Sequence, residues 1–227
     1  MAYSKLDINF DQLVFAQYLS DEELNLIKEN SSIVRYNKND NIFLQQTRTS
    51  HIMFVVTGLV KIFKEARGNH LNILRIDKDN SFIGLMSTFG LDTHQYSGSA
   101  VESTNILIID INIFKQIIRT NGAFAQYVIH QLSIDGLYIF EKLINHTYKQ
   151  LPGRIADVIL YFSEQIYLSD RFIFPITRRE LAEFAGTTKE SFIRTLTEFK
   201  NDKIIEFDGT TVIIKSMKIV KTLSELG

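Results

Sequence analysis

The sequence predicts an α+β chain in three parts: an N-terminal antiparallel β-barrel with a leading helix over 1–112, a long helix and hinge over 113–149, and a C-terminal winged helix-turn-helix over 150–227. Three observations predict it. Short β-rich runs broken by turn signals fill Ser32 to Ile111. A helical period then persists to about His146. Finally, Ile176–Leu196 reads as two helices folded around a glycine, with a hairpin after them.

Residues 6–30 read as a helical start, and Ser20-Asp-Glu-Glu23 is a capping signature ahead of Leu24, Leu26 and Ile27. The β-rich runs follow: Ile33–Tyr36, Ile42–Leu44, His51–Val56, Leu59–Lys64, Leu71–Ile76, Ser97–Val101 and Ile106–Ile109. Turn signals separate them at Asn37-Lys-Asn-Asp-Asn41, Thr57-Gly58, Arg67-Gly-Asn69 and Asp77-Lys-Asp-Asn80. Strands at this spacing indicate a closed or sandwich-like antiparallel barrel. Gly84–Leu91 is helix-sized and interrupts them.

From Ile113 the period becomes helical. Ile129, Leu132, Gly136, Ile139, Leu143 and His146 fall at 3-4-3-4-3 spacing, a seam of heptad type. Gly136 permits close backbone approach there, while Tyr127, Ile134 and Tyr138 lie on the opposite side and are expected against the barrel. A helix apolar on two sides needs two partners, so the pattern predicts a homodimer through this helix; the alternative is one long core helix in a monomer. Pro152 fits the first turn of a new helix running to Tyr167, which places a hinge at Lys149–Gly153.

In the C-terminal part, Thr177 caps a helix and Glu180 completes a capping box; Gly186 supplies the bend. Thr187 or Thr188 caps a second helix to about Lys200, in which Phe192, Leu196 and Phe199 recur at i, i+4, i+7 and are expected buried. The other side carries Glu190, Arg194 and Thr197, with Lys189 at the exposed N-terminal end. One sealed face and one Arg/Glu/Thr face is the chemistry that reads base edges in a major groove. A plain αα-hairpin with a solvated charged face is the bland alternative. The β-rich runs joined at Asp208-Gly209 argue against it, because a hairpin after a helix-turn-helix makes a winged helix.

Composition sets outer limits. The chain has 227 residues, 45% hydrophobic and 22% charged, ordinary for a globular protein. It has no apolar run of the roughly 20 residues that cross a bilayer and no export-type leader, so a cytoplasmic protein is expected, without membrane partners. With zero Cys, disulfides, thiolate iron–sulfur clusters and Cys-ligated zinc are excluded. No two of His51, His70, His94, His130 and His146 lie at i, i+3 or i, i+4, so a histidine metal or haem site would need tertiary convergence, and no metal ligand is assigned. Net charge is −1; from Tyr148 onward 12 Lys+Arg face 11 Asp+Glu, a local +1. Such a balance predicts a few placed phosphate contacts, doubled in a dimer, rather than bulk attraction.

The order barrel, long helix, hinge, winged helix-turn-helix resembles the cyclic-AMP receptor protein/FNR family of bacterial transcription regulators. The likeness is strongest in Leu151-Pro-Gly-Arg-Ile-Ala156, in Ile176-Thr-Arg-Arg-Glu-Leu181, in Gly186-Thr-Thr-Lys-Glu-Ser-Phe-Ile-Arg194 and in Phe82-Ile-Gly84 ahead of the family's ligand-phosphate site. It implies a jelly-roll barrel of cyclic-nucleotide-binding type and a homodimer binding inverted-repeat double-stranded DNA, with RNA polymerase as a further potential partner. Lys189, Glu190 and Arg194 match base-reading positions; Thr177, Arg178, Thr188 and Ser191 match phosphate-holding ones, and Arg179 joins them. Thr195 stands where the family keeps an apolar residue, and the acidic Asp208 argues against close approach of the wing tip to phosphate.

The effector pocket, at Phe82, Gly84, Leu85, Tyr96 and Ser97, departs from the family pattern. Leu85 stands where cyclic-AMP binders have a ribose-holding Glu, and Tyr96 where they have a phosphate-binding Arg. A buried phosphate without a cation pays a heavy desolvation penalty, so cyclic nucleotide bound in the usual way is not expected. That leaves an unknown small-molecule effector, a haem, or none. Two rival functions remain: a ligand-binding module that regulates a protein partner without touching DNA, and a barrel metalloenzyme. No nucleophile–base pair or phosphate-cradling glycine loop is present, so no catalytic residue and no enzyme activity are expected.

Overall fold

The computed structural model describes residues 8–65 and 71–227. The start of the expected N-terminal helix at residues 6–7, the turn at Arg67-Gly-Asn69, and His70 lie outside the described residues. Contacts divide the chain into one unit holding residues 8–64 and 74–138 and a second holding 65, 71–73 and 139–227.

In the first unit two 3₁₀ turns, Phe10–Gln12 and Ala16–Tyr18, precede α1, Asp21–Glu29. The expected helical start is therefore split. The Ser20/Glu23 capping box fixes where the α-helix begins, because each side chain bonds the other's backbone N–H. Eight strands follow: β1 Ser31–Tyr36, β2 Asn41–Phe43, β3 His51–Thr57, β4 Val60–Glu65, β5 Leu71–Asp77, β6 Ser81–Ile83, β7 Ser97–Ala100 and β8 Thr104–Asp110. They form two four-stranded sheets, β1-β8-β3-β6 and β2-β7-β4-β5. β6 is a strand the sequence pattern does not announce; three residues are too few for a period, and it is held by pairing to β3.

β3 shows why the sheet reads as continuous apolar sequence. Alternation sends Ile52 and Phe54 to one cluster and Met53 and Val55 to another, so both faces are buried. The first cluster is aromatic, with Phe15, Phe54, Phe82, Phe114 and Phe124 packed edge to face. α2, Leu85–Gly90, lies between β6 and β7.

The helical period after Ile113 resolves into α3, Ile111–Thr120, and α4, Gly122–Tyr148. Asn121 makes the break: its side chain accepts from the Phe124 N–H and donates to the Tyr18 carbonyl and Glu23. On α4, Tyr127 is buried as expected, but Ile134 is exposed, which corrects its placement on the barrel side.

The second unit continues with α5, Leu151–Leu160, which runs into a π-helical turn at Tyr161–Tyr167. Then come β9 Arg171–Ile173, α6 Arg178–Phe184, α7 Lys189–Asn201, β10 Ile205–Asp208, β11 Thr211–Ile214 and α8 Met217–Leu226. The wing has three strands in the order β10-β11-β9. Its hairpin is shifted by one residue from the expected Asp208-Gly209 loop. Asp208 still pairs with Thr211, so Gly209-Thr210 turns the chain, and Gly209 takes the left-handed φ of 59°.

Candidate nucleic-acid interface

α6 and α7 are built as local chemistry dictates. Thr177 caps α6 and exchanges bonds with Glu180, whose carboxylate accepts from the Thr177 N–H at 2.8 Å. Thr188, rather than Thr187, caps α7 by accepting from the Ser191 N–H at 3.2 Å. Between them Gly186 has φ 64°, and a Cβ there would sit 3.0 Å from the His146 ring. Only glycine satisfies both conditions without strain.

Three side chains hold this turn: Lys142, to which the sequence assigned nothing, His146, expected on the dimer seam, and Arg154, noted only within the motif at 151–156. Arg154 donates to the Gly186 carbonyl at 3.1 Å; the His146 ring covers Gly186; and the Lys142 ammonium lies 3.5 Å from the centroid of the Phe184 ring on α6. Burial pushes Lys142 well below the usual lysine range, and burial, helped by Lys142 and Arg154, also lowers His146. Their helical spacing, i and i+4 on α4, was available in the sequence, but their partners are distant in the chain.

The two faces of α7 separate as expected. Phe192, Leu196 and Phe199 are buried, worth about 1.5–3 kcal/mol each by area. Thr195 is buried with them, at the position where an apolar residue was expected. Lys189, Glu190, Arg194 and Thr197 are exposed. Arg194 lies 4.0 Å from Glu198, and its side chain remains 72% exposed.

The phosphate set is less uniform. Thr177, Arg179 and Thr188 are exposed, and Ser191 is half-buried. Arg179 pairs with Glu183 at 3.2 Å. Arg178 is half-buried with its guanidinium 5.3 Å from the rings of both Phe174 and Phe207, and burial lowers its pKa. At the wing tip Asp208 is bound by Arg171 of β9 at 2.7 Å, which offsets the acidic charge noted in the sequence.

Along α4, Ile129 and Leu143 of the expected seam are exposed, whereas Leu132, Gly136 and Ile139 are half-buried. The exposed apolar side chains also include Ile134, Leu137, Phe140, Ile144 and Tyr148. Together they form a long exposed apolar strip, the kind of surface that marks interaction sites.

In the barrel, Phe82, Leu85 and Ser97 are buried, Tyr96 is half-buried, and Gly84 takes φ 79° beside the His94 ring. Tyr96 is hydrogen-bonded to Ser87 and lies near the charge of Arg75. Arg75 on β5 bonds Asp77 at 2.8 Å and Asp135 of α4. Arg75 of β5 therefore places a cation near Tyr96, but with two carboxylates bound to it. Of the histidines, His51 and His130 are exposed and His94 is buried, its Nδ1 without a hydrogen-bond partner. Among the described residues no helix is long and apolar enough to cross a membrane.

Two family models match the sequence: a cyclic nucleotide-binding domain over residues 33–121 and a Crp-like helix-turn-helix domain over 153–221. The cAMP-activated global transcriptional regulator CRP of Salmonella typhimurium is 22% identical over 207 residues, spanning 89% of this chain and 98% of that protein. Among solved structures, FixK2 from Bradyrhizobium japonicum superposes with a TM-score of 0.79 at 16% identity, over 85% of this chain and 96% of that one. A transcriptional regulator of the crp/fnr family from Eubacterium rectale gives 0.77 at 18% identity, over 96% of this chain and all of that one, 100%. At such identities the structural likeness establishes the fold.

Proposed function

This chain belongs to the CRP/FNR family of DNA-binding transcription regulators, and from that premise we propose how it binds: as a homodimer on an inverted repeat, with α7 in the major groove. The observation that carries this is the division of α7, with Phe192, Leu196 and Phe199 sealed and Lys189, Glu190 and Arg194 presented to solvent. Arg194 suits guanine O6 and N7, and Glu190 suits a cytosine N4 donor. Thr177, Arg178, Arg179, Thr188 and Ser191 hold phosphates and set register; Arg178 brings a cation already fixed between two rings. Residues 150–227 supply the DNA-binding domain, the barrel of 1–112 the effector-type domain, and the apolar strip of α4 the dimer contact, in a cytoplasmic protein that works with RNA polymerase.

Leu85 and Tyr96 stand at the two places where a cyclic nucleotide would need a carboxylate and an arginine, so the barrel does not take cyclic AMP in the way the name of the Salmonella relative implies for that protein. The test is selection of bound sequences from random DNA with the purified full-length chain. An enriched inverted repeat with half-site centres about 34–36 Å apart, one helical turn, is expected. Enrichment of no sequence, or of an unpaired half-site, overturns the reading.

A further inference from the structure

β5 and α4 meet in a cluster of buried charge. Arg75 and Asp77 are i, i+2 on one strand and so share a face. The Arg75 Nε donates to Asp77 at 3.0 Å, and its Nη1 is ion-paired with Asp135 of α4. The three side chains are only 12%, 9% and 16% exposed. Tyr96, hydrogen-bonded to Ser87, feels all three charges from the segment where the effector pocket was expected.

Burial works against the charge of Arg75, but Asp77 and Asp135 more than reverse this and hold its pKa above the usual arginine range. One buried cation facing two carboxylates leaves a surplus of negative charge. An incoming phosphate or carboxylate would therefore lose its hydration and gain repulsion.

We propose that Asp135 is the barrel's built-in ligand: its carboxylate takes the place on Arg75 that an effector's anion would occupy, and so fixes α4 against β5 without any small molecule. The inference deepens the effector reading of the barrel, and rests on it. Asp135 is one residue before Gly136, on the helix that presents the apolar strip. Fixing this part of α4 on the barrel fixes the surface that a second copy meets. The regulator is then competent as synthesised, and a small carboxylate competes for Arg75 only after Asp135 has gone.

The experiment is thermal unfolding of the full-length chain, wild type, Asp135→Ala and Asp135→Asn, in sodium acetate, in sodium chloride of equal ionic strength, and with cyclic AMP. Loss of the link that Asp135 makes from α4 to Arg75 on β5 should lower the melting temperature of Asp135→Ala by roughly 10 °C. Acetate, which has the size and charge of the deleted group, should restore part of the shift, and chloride none. Asp135→Asn should melt low and stay low, because its amide fills the space without the charge. Operator affinity of Asp135→Ala should fall and recover in step with acetate.

Stabilisation of the wild type by acetate or cyclic AMP overturns the proposal, and this titration decides even where a variant fails to fold. An Asp135→Ala protein that melts like wild type, or that acetate does not help, overturns it too. Acetate rescue of stability in a protein that binds no DNA, wild type included, would leave the built-in ligand standing and sink the DNA reading instead.

Discussion

Arg194 and Arg75 each face carboxylate, but in different surroundings. Arg194 lies 4.0 Å from Glu198 with 72% of its side chain in water; Arg75 holds Asp77 at 2.8 Å with 12% exposed. Exposed pairs of the first kind are worth about 0–1 kcal/mol and are screened by salt. In the second kind the buried charges depend on one another, and breaking one of their contacts costs about 3–5 kcal/mol. The comparison teaches what each arginine can do. A loosely tethered guanidinium can leave its neighbour for a base edge, whereas one that is buried and doubly paired is committed to the fold.

Substitutions of graded size test this division. The largest effect belongs to Asp135→Ala, whose loss of melting temperature and recovery in acetate would show that the buried cluster carries structural free energy.

Next is the pH dependence of Asp77. Burial, opposed by Arg75 and reinforced by Asp135, raises its pKa from 3.8 to about 6. A carboxyl raised on folding binds its proton more tightly in the native state. Its contribution is therefore complete below about pH 4 and is lost as pH rises through 6. Denaturant melts across that interval should show this component of stability falling with pH in the wild type. Asp77→Asn should remove it, and an unchanged pH profile in the variant would mean that the cluster is not as dry as described.

The smallest effect is predicted for Glu198→Ala. Breaking an exposed i, i+4 pair should change stability by no more than about 0.5 kcal/mol in urea unfolding. A loss of several times that amount would blur the contrast between the two regions.

Much of this was legible in the chain, because the decisive signals are local. Thr177 and Glu180 are three residues apart, and so are the capping residues Ser20 and Glu23; the burial of Phe192, Leu196 and Phe199 follows from their spacing alone. The sheet was readable as runs but not as pairs, so β6 and β9, three residues each, escaped notice. α8 also escaped, although it is amphipathic and its Ser224 hydroxyl donates to Asp157 at 2.5 Å.

The non-local parts were out of reach. Nothing in the neighbourhood of Lys142 or His146 says that they cover Phe184 and Gly186. Arg75 and Asp135 are 60 residues apart in numbering, so the sequence could not show that the fold pairs them near Tyr96. Ile134 went to the wrong side because a seam chosen by apolar spacing cannot tell which of two adjacent stripes the barrel covers.

The central claim, that the exposed face of α7 reads base edges, is tested most directly with Arg194→Ala on a panel of operators changed one base pair at a time. The account predicts a variant that melts like wild type and loses about 1–3 kcal/mol of discrimination at one base pair of each half-site, with preferences elsewhere retained. Unchanged preference at every position would contradict it.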